Sequence, residues 1–139
     1  MPGKPTILCV DDKEENLRIR TLLLQQFGCQ TFTAYDHTSA IRIASEEPVD
    51  LVLLDYHLAN GETGEQVARD MRVLKPRVPL IMLTGDVNLP DTARHCVDAV
   101  ITKGISSPTE LFDIIQQLLP GSELHPRRPM LIPEPPRKR

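Results

Sequence analysis

Five short apolar runs, each separated from the next by a longer stretch, constrain this chain more than any other feature. They lie at 6–10, 31–34, 51–54, 80–83 and 99–102 and are rich in β-branched and aliphatic residues. Runs of four or five residues are strand-sized. The third and fourth are almost wholly apolar, which suits strands of a parallel sheet covered on both faces rather than the alternation of a half-exposed antiparallel one.

The intervening stretches carry helix signals. Leu17, Leu22, Leu23 and Leu24 precede Gly28, and a glycine just past the last turn is a common helix stop. Residues 38–47 predict a second helix ended by Pro48. Thr63 with Gln66 predicts a capping-box start for a third, running to about Leu74 ahead of Pro76. The last helix is the best marked. Ser107 can cap it, Pro108 takes the tolerated first position, and Glu110 completes a box ahead of Leu111, Phe112, Ile114, Ile115 and Leu118. Between the fourth and fifth strands only GDVNLPDTARHCVD must hold two connections and a helix, so that helix is predicted to be short. Alternating strands and helices imply an α/β fold, an open parallel sheet with helices on both faces, whose functional groups gather beyond the strands' carboxyl ends.

Composition sets the remaining bounds. A chain of 139 residues, 40% hydrophobic and 25% charged, suits one domain with one core and no need of disulfides. Residues 120–139 hold five Lys/Arg against two Asp/Glu, a net +3 that leaves residues 1–119 at −6 of the whole-chain −3. Six of the 13 prolines also fall in that tail, which reads as an extended, flexible appendage to a domain spanning 1–119. Its basic clusters lack interleaved aromatics and a helix-turn-helix, so no nucleic acid is expected as partner. The start, MPGKPTILCVDD, lacks the features of a signal peptide, and no apolar stretch nears the roughly 18 residues of a membrane span. A cytoplasmic protein with no membrane partner is expected. Cys9, Cys29 and Cys96 form no CxxC and read as reduced thiols; His37, His95 and His125 show no ligand spacing and read as surface residues.

If the strands hold, Asp11 and Asp12 follow the first, Asp55 the third, Thr84 the fourth and Lys103 the fifth, all at one sheet edge. Taken alone, a DD pair ahead of a helix is more often a cap with dipole-favourable charge, and a lone Asp after a strand is more often a turn residue. The constellation in strand order is far more specific. Three carboxylates brought together repel one another and need positive charge. Lys103 supplies one unit, and an all-oxygen site suits Mg²⁺, which keeps several waters and often bridges to phosphate. In such a site Asp55 is the candidate nucleophile toward a phosphoryl donor, with Thr84 a hydrogen-bond partner of the transferred group.

The segments ILCVDDKEENL, LVLLDYHL, LIMLTG and VITK resemble, in order and spacing, the receiver domains of bacterial two-component response regulators, over about residues 5–119. The resemblance implies a flavodoxin-like, CheY-like (βα)5 three-layer sandwich with strand order 2-1-3-4-5, an order that periodicity alone does not supply. It further implies that Asp55 is the phosphoacceptor and that Asp12, Asp55 and the backbone carbonyl of His57 hold Mg²⁺ directly. Asp11 would act through a metal-bound water. The implied partners are a sensor histidine kinase or histidine phosphotransfer protein, a downstream protein and a second copy in a homodimer. The chain would be a switch in a phosphorelay, catalysing at most its own phosphorylation and dephosphorylation.

Three positions depart from the family's pattern. Val100 stands where Tyr or Phe is usual three residues before the lysine, Gly104 replaces the proline after it, and the interval from Thr84 to Lys103 is short, which trims helix four. The chemistry-bearing residues are kept while those that transmit the change are altered. The alternative is therefore a receiver-like binding module with an altered output face that works without phosphorylation. A phosphatase with a strand-end aspartyl nucleophile would need a DxD motif, and position 57 is His. A flavin or nucleotide site would need a Gly- or Ser/Thr-rich loop where this chain has DDKEEN.

Overall fold

In the computed structural model, which describes residues 3–85, 88–103, 107–122 and 124, the five apolar runs are five parallel strands. They are β1 (Thr6–Val10), β2 (Gln30–Ala34), β3 (Leu51–Asp55), β4 (Leu80–Thr84) and β5 (Ala99–Thr102), side by side in the order β2-β1-β3-β4-β5. The sequence reading places β1 and β5 to the residue. Three bounds move by one: β2 starts a residue earlier, while β3 and β4 each end a residue later and so take in Asp55 and Thr84.

Side chains alternate across the sheet with the strand period of two, and each face is covered by helices. Ile7, Cys9, Leu51, Leu53, Ile81, Leu83 and Ile101 pack with Leu17, Leu24, Leu111, Phe112 and Ile115 from α1 (Glu14–Gln26) and α5 (Pro108–Leu118). Leu8, Val10, Val52, Leu54, Leu80 and Met82 pack with Ala40, Ala44, Val67, Met71 and Ala93 from α2 (His37–Glu46), α3 (Gly64–Leu74) and α4 (Asp91–His95). The central strands β1, β3 and β4 are buried along their whole length, whereas β2 and β5, with one neighbour each, are partly exposed. That difference explains why the central runs read as nearly uninterrupted apolar sequence.

Local chemistry stops and starts the helices as expected, with one partial exception. Gly28 adopts φ 94° just past α1, a backbone state open to glycine at little cost. Both halves of the Thr63–Gln66 capping box form at α3, and Asp36 with Ser39 builds a second box at α2. At α5 the Ser107 hydroxyl accepts the Glu110 N–H at 3.3 Å, and Pro108 sits in the first turn, so one half of the expected box is seen there. Helix α4 is five residues long, the contraction predicted from its short interval. Leu119 and Leu124 pack against the α1–α5 layer, so contacts with the domain extend a few residues into the segment read as a tail. Gly104, His125 and most of that tail lie outside the described residues. Among the described residues no helix is long and apolar enough to cross a membrane.

Candidate functional site

The register places the ends of four strands on one sheet edge. Val10 pairs with Leu54, Asp55 with Leu83, and Thr84 with Thr102, so residues just past β1 and β5 stand beside the last residues of β3 and β4. Asp11, Asp12, Asp55, Thr84 and Lys103 are thereby gathered as the sequence reading required. One oxygen from each of Asp11, Asp12 and Asp55 lies within 4.8 Å of the other two. Lys103 Nζ is 2.7 Å from Asp55 Oδ1, and its backbone N–H donates to the Thr84 carbonyl at 2.7 Å, fixing the start of the lysine's segment against β4.

These groups are largely withdrawn from water: Asp11 is 0%, Thr84 1% and Asp55 6% exposed. Asp12 is half-buried at the rim. A like-charged pair at 4.8 Å costs about 3 kcal/mol at an effective dielectric of 20, so the cluster is stable only with counter-charge. The two deepest carboxylates respond in opposite directions. Burial raises the Asp55 pKa above the ordinary carboxylate value, and Lys103 only partly offsets that. Burial pushes Asp11 the same way, but donors from Lys13, Arg20 and Asn16 outweigh it and hold this carboxyl below the ordinary value.

Three residues at the site were not singled out from the sequence. Asn16 and Arg20 reach in from α1 to the same Asp11 oxygen, at 3.2 Å and 3.0 Å, while the Lys13 N–H binds the other at 2.9 Å. Their i, i+4 spacing puts both on one helix face, and that face follows directly on Asp11 and Asp12; this was the available signal. The third is Gly64, the first residue of α3. A Cβ there would lie 2.5 Å from the Asp55 carbonyl oxygen and 2.8 Å from Met82 Sδ, so only glycine lets α3 approach the acidic strand end this closely. Nothing local in the sequence marks that approach.

The loop after β3 is held by an antiparallel bridge between His57 and Thr63. Its hydrogen bonds run from Gly64 N–H to the Tyr56 carbonyl and from Leu58 N–H to the Glu62 carbonyl, leaving the His57 carbonyl out of both. The His57 side chain is exposed, edge-on to Tyr56 with ring centres 4.8 Å apart. Val100 sits opposite Met82 and packs, half-buried, into the α2–α4 layer. His37 stands at the surface as expected, partly exposed, and its Nε2 lies 2.6 Å from Asp70 Oδ2, linking α2 to α3 where the helices pack side by side. His95 is exposed as expected, and the three cysteines are free thiols.

Residues 7–118 match the protein family described as the response regulator receiver domain. The chain belongs to that family. This receiver domain is 31% identical over 113 residues to the sensor histidine kinase RcsC of Escherichia coli K12, which covers 81% of the chain and 12% of RcsC. It is 29% identical over 125 residues to the transcriptional regulatory protein ZraR of Salmonella typhimurium, covering 90% of the chain and 28% of ZraR. The chain thus spans a minor part of the length of the curated relatives it matches. Among solved structures it is similar to the response regulator TrrA of Thermotoga maritima in complex with Mg²⁺ and beryllofluoride, with a TM-score of 0.76 and 28% identity over 83% of the chain and 99% of TrrA. A CheY-like receiver domain protein from Methanospirillum hungatei matches with a TM-score of 0.76 and 25% identity over 82% of the chain and 92% of its own. Fold and family therefore agree with the CheY-like architecture expected of a two-component signalling domain.

Proposed function

We propose that this receiver domain is a Mg²⁺-dependent phospho-acceptor switch in which Asp55 takes a phosphoryl group from a sensor histidine kinase or a histidine phosphotransfer protein. One observation carries the reading: a buried carboxylate, Asp55, is held 2.7 Å from Lys103 and clustered with two further carboxylates at the carboxyl edge of the sheet. The donor set fits a hard divalent cation, because it is all oxygen and concentrates three acidic groups in a largely buried pocket. Asp12, Asp55 and the His57 carbonyl would hold Mg²⁺ directly and Asp11 through a water. Bound there, the ion would offset carboxylate charge and the charge developing on the transferred oxygens. Beryllofluoride has the shape of a phosphoryl group, so the complex of the TrrA neighbour supports the same pairing here.

The chain's own residues divide the work. Asp55 is the nucleophile: its oxygen forms the new bond to phosphorus while the bond to the donor's imidazole nitrogen breaks and the electron pair leaves with that nitrogen. Lys103 neutralises charge beside the acceptor oxygen, and the Thr84 hydroxyl binds the phosphoryl group once it is in place. The added charge and acceptor oxygens draw Thr84 and the following segment into a second state, which a downstream protein partner reads. The switch acts in the cytoplasm and catalyses at most its own phosphorylation and dephosphorylation.

Intact-protein mass spectrometry after incubation with a small-molecule phospho-donor and Mg²⁺ tests this. The expected result is the gain of one phosphoryl group, abolished by EDTA and by Asp55→Asn. A gain that survives either control would overturn the assignment. Val100 and the five-residue α4 favour a second reading, a receiver-like module that binds its partner without phosphorylation. No phosphoryl gain from the small donor or from a cognate kinase, with partner binding retained by Asp55→Asn, is the outcome that would establish it.

A further inference from the structure

The pocket contains a cation that the phospho-acceptor reading does not use. Arg20 extends from the middle of α1 and places Nη1 3.0 Å from Asp11 Oδ2, with its side chain 14% exposed and that of Asp11 fully buried. With Lys103 it also lines a cleft bounded by Leu23, Leu83, Thr102 and Leu111, so the two cations approach the site from a shared side, one from α1 and the other from the end of β5. Asp11 does not depend on Arg20 alone for its position, because the Lys13 N–H and the Asn16 amide also hold it. The guanidinium's distinct contribution is its charge.

Three carboxylates and two cations leave the pocket at a formal −1. A divalent ion alone would take it to +1. Phosphorylation of Asp55 replaces one negative charge by about two, so ion and phosphoryl group together would bring the pocket close to neutral. Without Arg20 the order reverses, and the ion alone would reach neutrality. We propose that Arg20 is a positioning and tuning residue whose charge disfavours Mg²⁺ in the empty pocket and favours the anionic phosphoryl group beside the ion. The inference rests on the phospho-acceptor reading and adds a residue to it. A unit charge one side chain away from a divalent ion, at an effective dielectric of about 20, changes affinity by more than about tenfold.

Titration calorimetry of Mg²⁺ into the full chain, with and without beryllofluoride, tests the proposal on wild type, Arg20→Met, Arg20→Gln and Arg20→Lys. Without beryllofluoride, the two neutral variants are expected to bind Mg²⁺ at least about tenfold more tightly than wild type, and Arg20→Lys to stay within about threefold of it. Titrated into the Mg²⁺-saturated proteins, beryllofluoride should bind the neutral variants more weakly than wild type, because the guanidinium attracts the anion. The Gln variant keeps a polar side chain and repeats the comparison should Met disturb the fold. Unchanged or weaker Mg²⁺ binding in the neutral variants would overturn the proposal and leave Arg20 as a structural brace for Asp11. No Mg²⁺ binding by wild type, with or without beryllofluoride, would instead remove the phospho-acceptor reading and this inference with it.

Discussion

Replacing Gly64 by alanine tests whether the approach of α3 to the acidic strand end is as tight as the geometry requires. The new Cβ would start 2.5 Å from the Asp55 carbonyl oxygen and 2.8 Å from Met82 Sδ, whereas ordinary contact begins at 3.4 Å. Met82 can shift its side-chain tip, but the backbone carbonyl of Asp55, whose residue is paired with Leu83 at the end of a buried central strand, gives far less. The amino end of α3 must therefore lift by nearly an ångström, and Val67, Ala68 and Met71, all completely buried behind it, lose packing. Overpacking of this kind costs about 1–3 kcal/mol, against which alanine's better helix propensity returns somewhat under 1 kcal/mol. The expected net loss of about 1–2 kcal/mol corresponds to a fall in Tm of roughly 3–10 °C for a domain of this size. Thermal unfolding measures it, with Gly85→Ala as control because a Cβ at Gly85 meets nothing within 4 Å. The lift also disturbs the Gly64 N–H bond to the Tyr56 carbonyl, at 2.7 Å, so slower phosphoryl acceptance at Asp55 is expected in the same variant. A Tm equal to that of wild type, with acceptance unchanged, would show that α3 moves freely and that the close approach positions nothing.

Further consequences concern the ionisation of the pocket and the thiols. The raised pKa of Asp55 means that its contribution to stability is full below the ordinary carboxylate value of 3.8 and is lost as pH rises through the higher folded value. In metal-free buffer Asp55→Asn should accordingly be more heat-stable than wild type at pH 7, with the gap closing on acidification; a less stable variant at pH 7 would contradict this. Asp11, held below its ordinary value by its donors, has the opposite sign: its contribution is present above 3.8 and lost as pH falls through the folded value, so Asp11→Asn should be destabilised at pH 7 in the same melts. Burial pushes the thiols of Cys9 and Cys29 to about 12, so iodoacetamide at pH 8 should alkylate half-buried Cys96 first, as peptide mapping would show. Asp98 Oδ2 accepts the Leu80 N–H at 2.8 Å and pairs with Arg72 at 2.8 Å. Asp98→Ala should cost about 1–3 kcal/mol in chemical denaturation by leaving the first N–H of β4 without its acceptor, and a loss below 0.5 kcal/mol would count against that role.

How much could be read in advance depended on whether the signal was local. Strand positions, helix caps and the contraction of α4 are local, because the apolar run, the Thr63–Gln66 box and the residue count between Thr84 and Lys103 are all written within a few residues. The gathering of Asp11, Asp12, Asp55, Thr84 and Lys103 was also legible. In a parallel sheet every strand delivers its carboxyl end to the same edge, so residues at the ends of apolar runs meet however far apart they lie in sequence. Arg20 was not found this way, since an arginine on an amphipathic helix ordinarily faces solvent.

The sequence by itself determined an α/β chain of five strands and five helices, the short fourth helix, and the five residues that meet at the sheet's edge, since periodicity and capping are properties of neighbouring residues. Only the tertiary structure decided the rest. It set the opposite ionisation of Asp55 and Asp11, because a carboxyl's pKa reflects the balance of burial against the donors that packing happens to bring to it. It turned Arg20 inward to a buried carboxylate and pressed Gly64 against the Asp55 backbone, contacts between elements whose separation is fixed by how helices seat on the sheet.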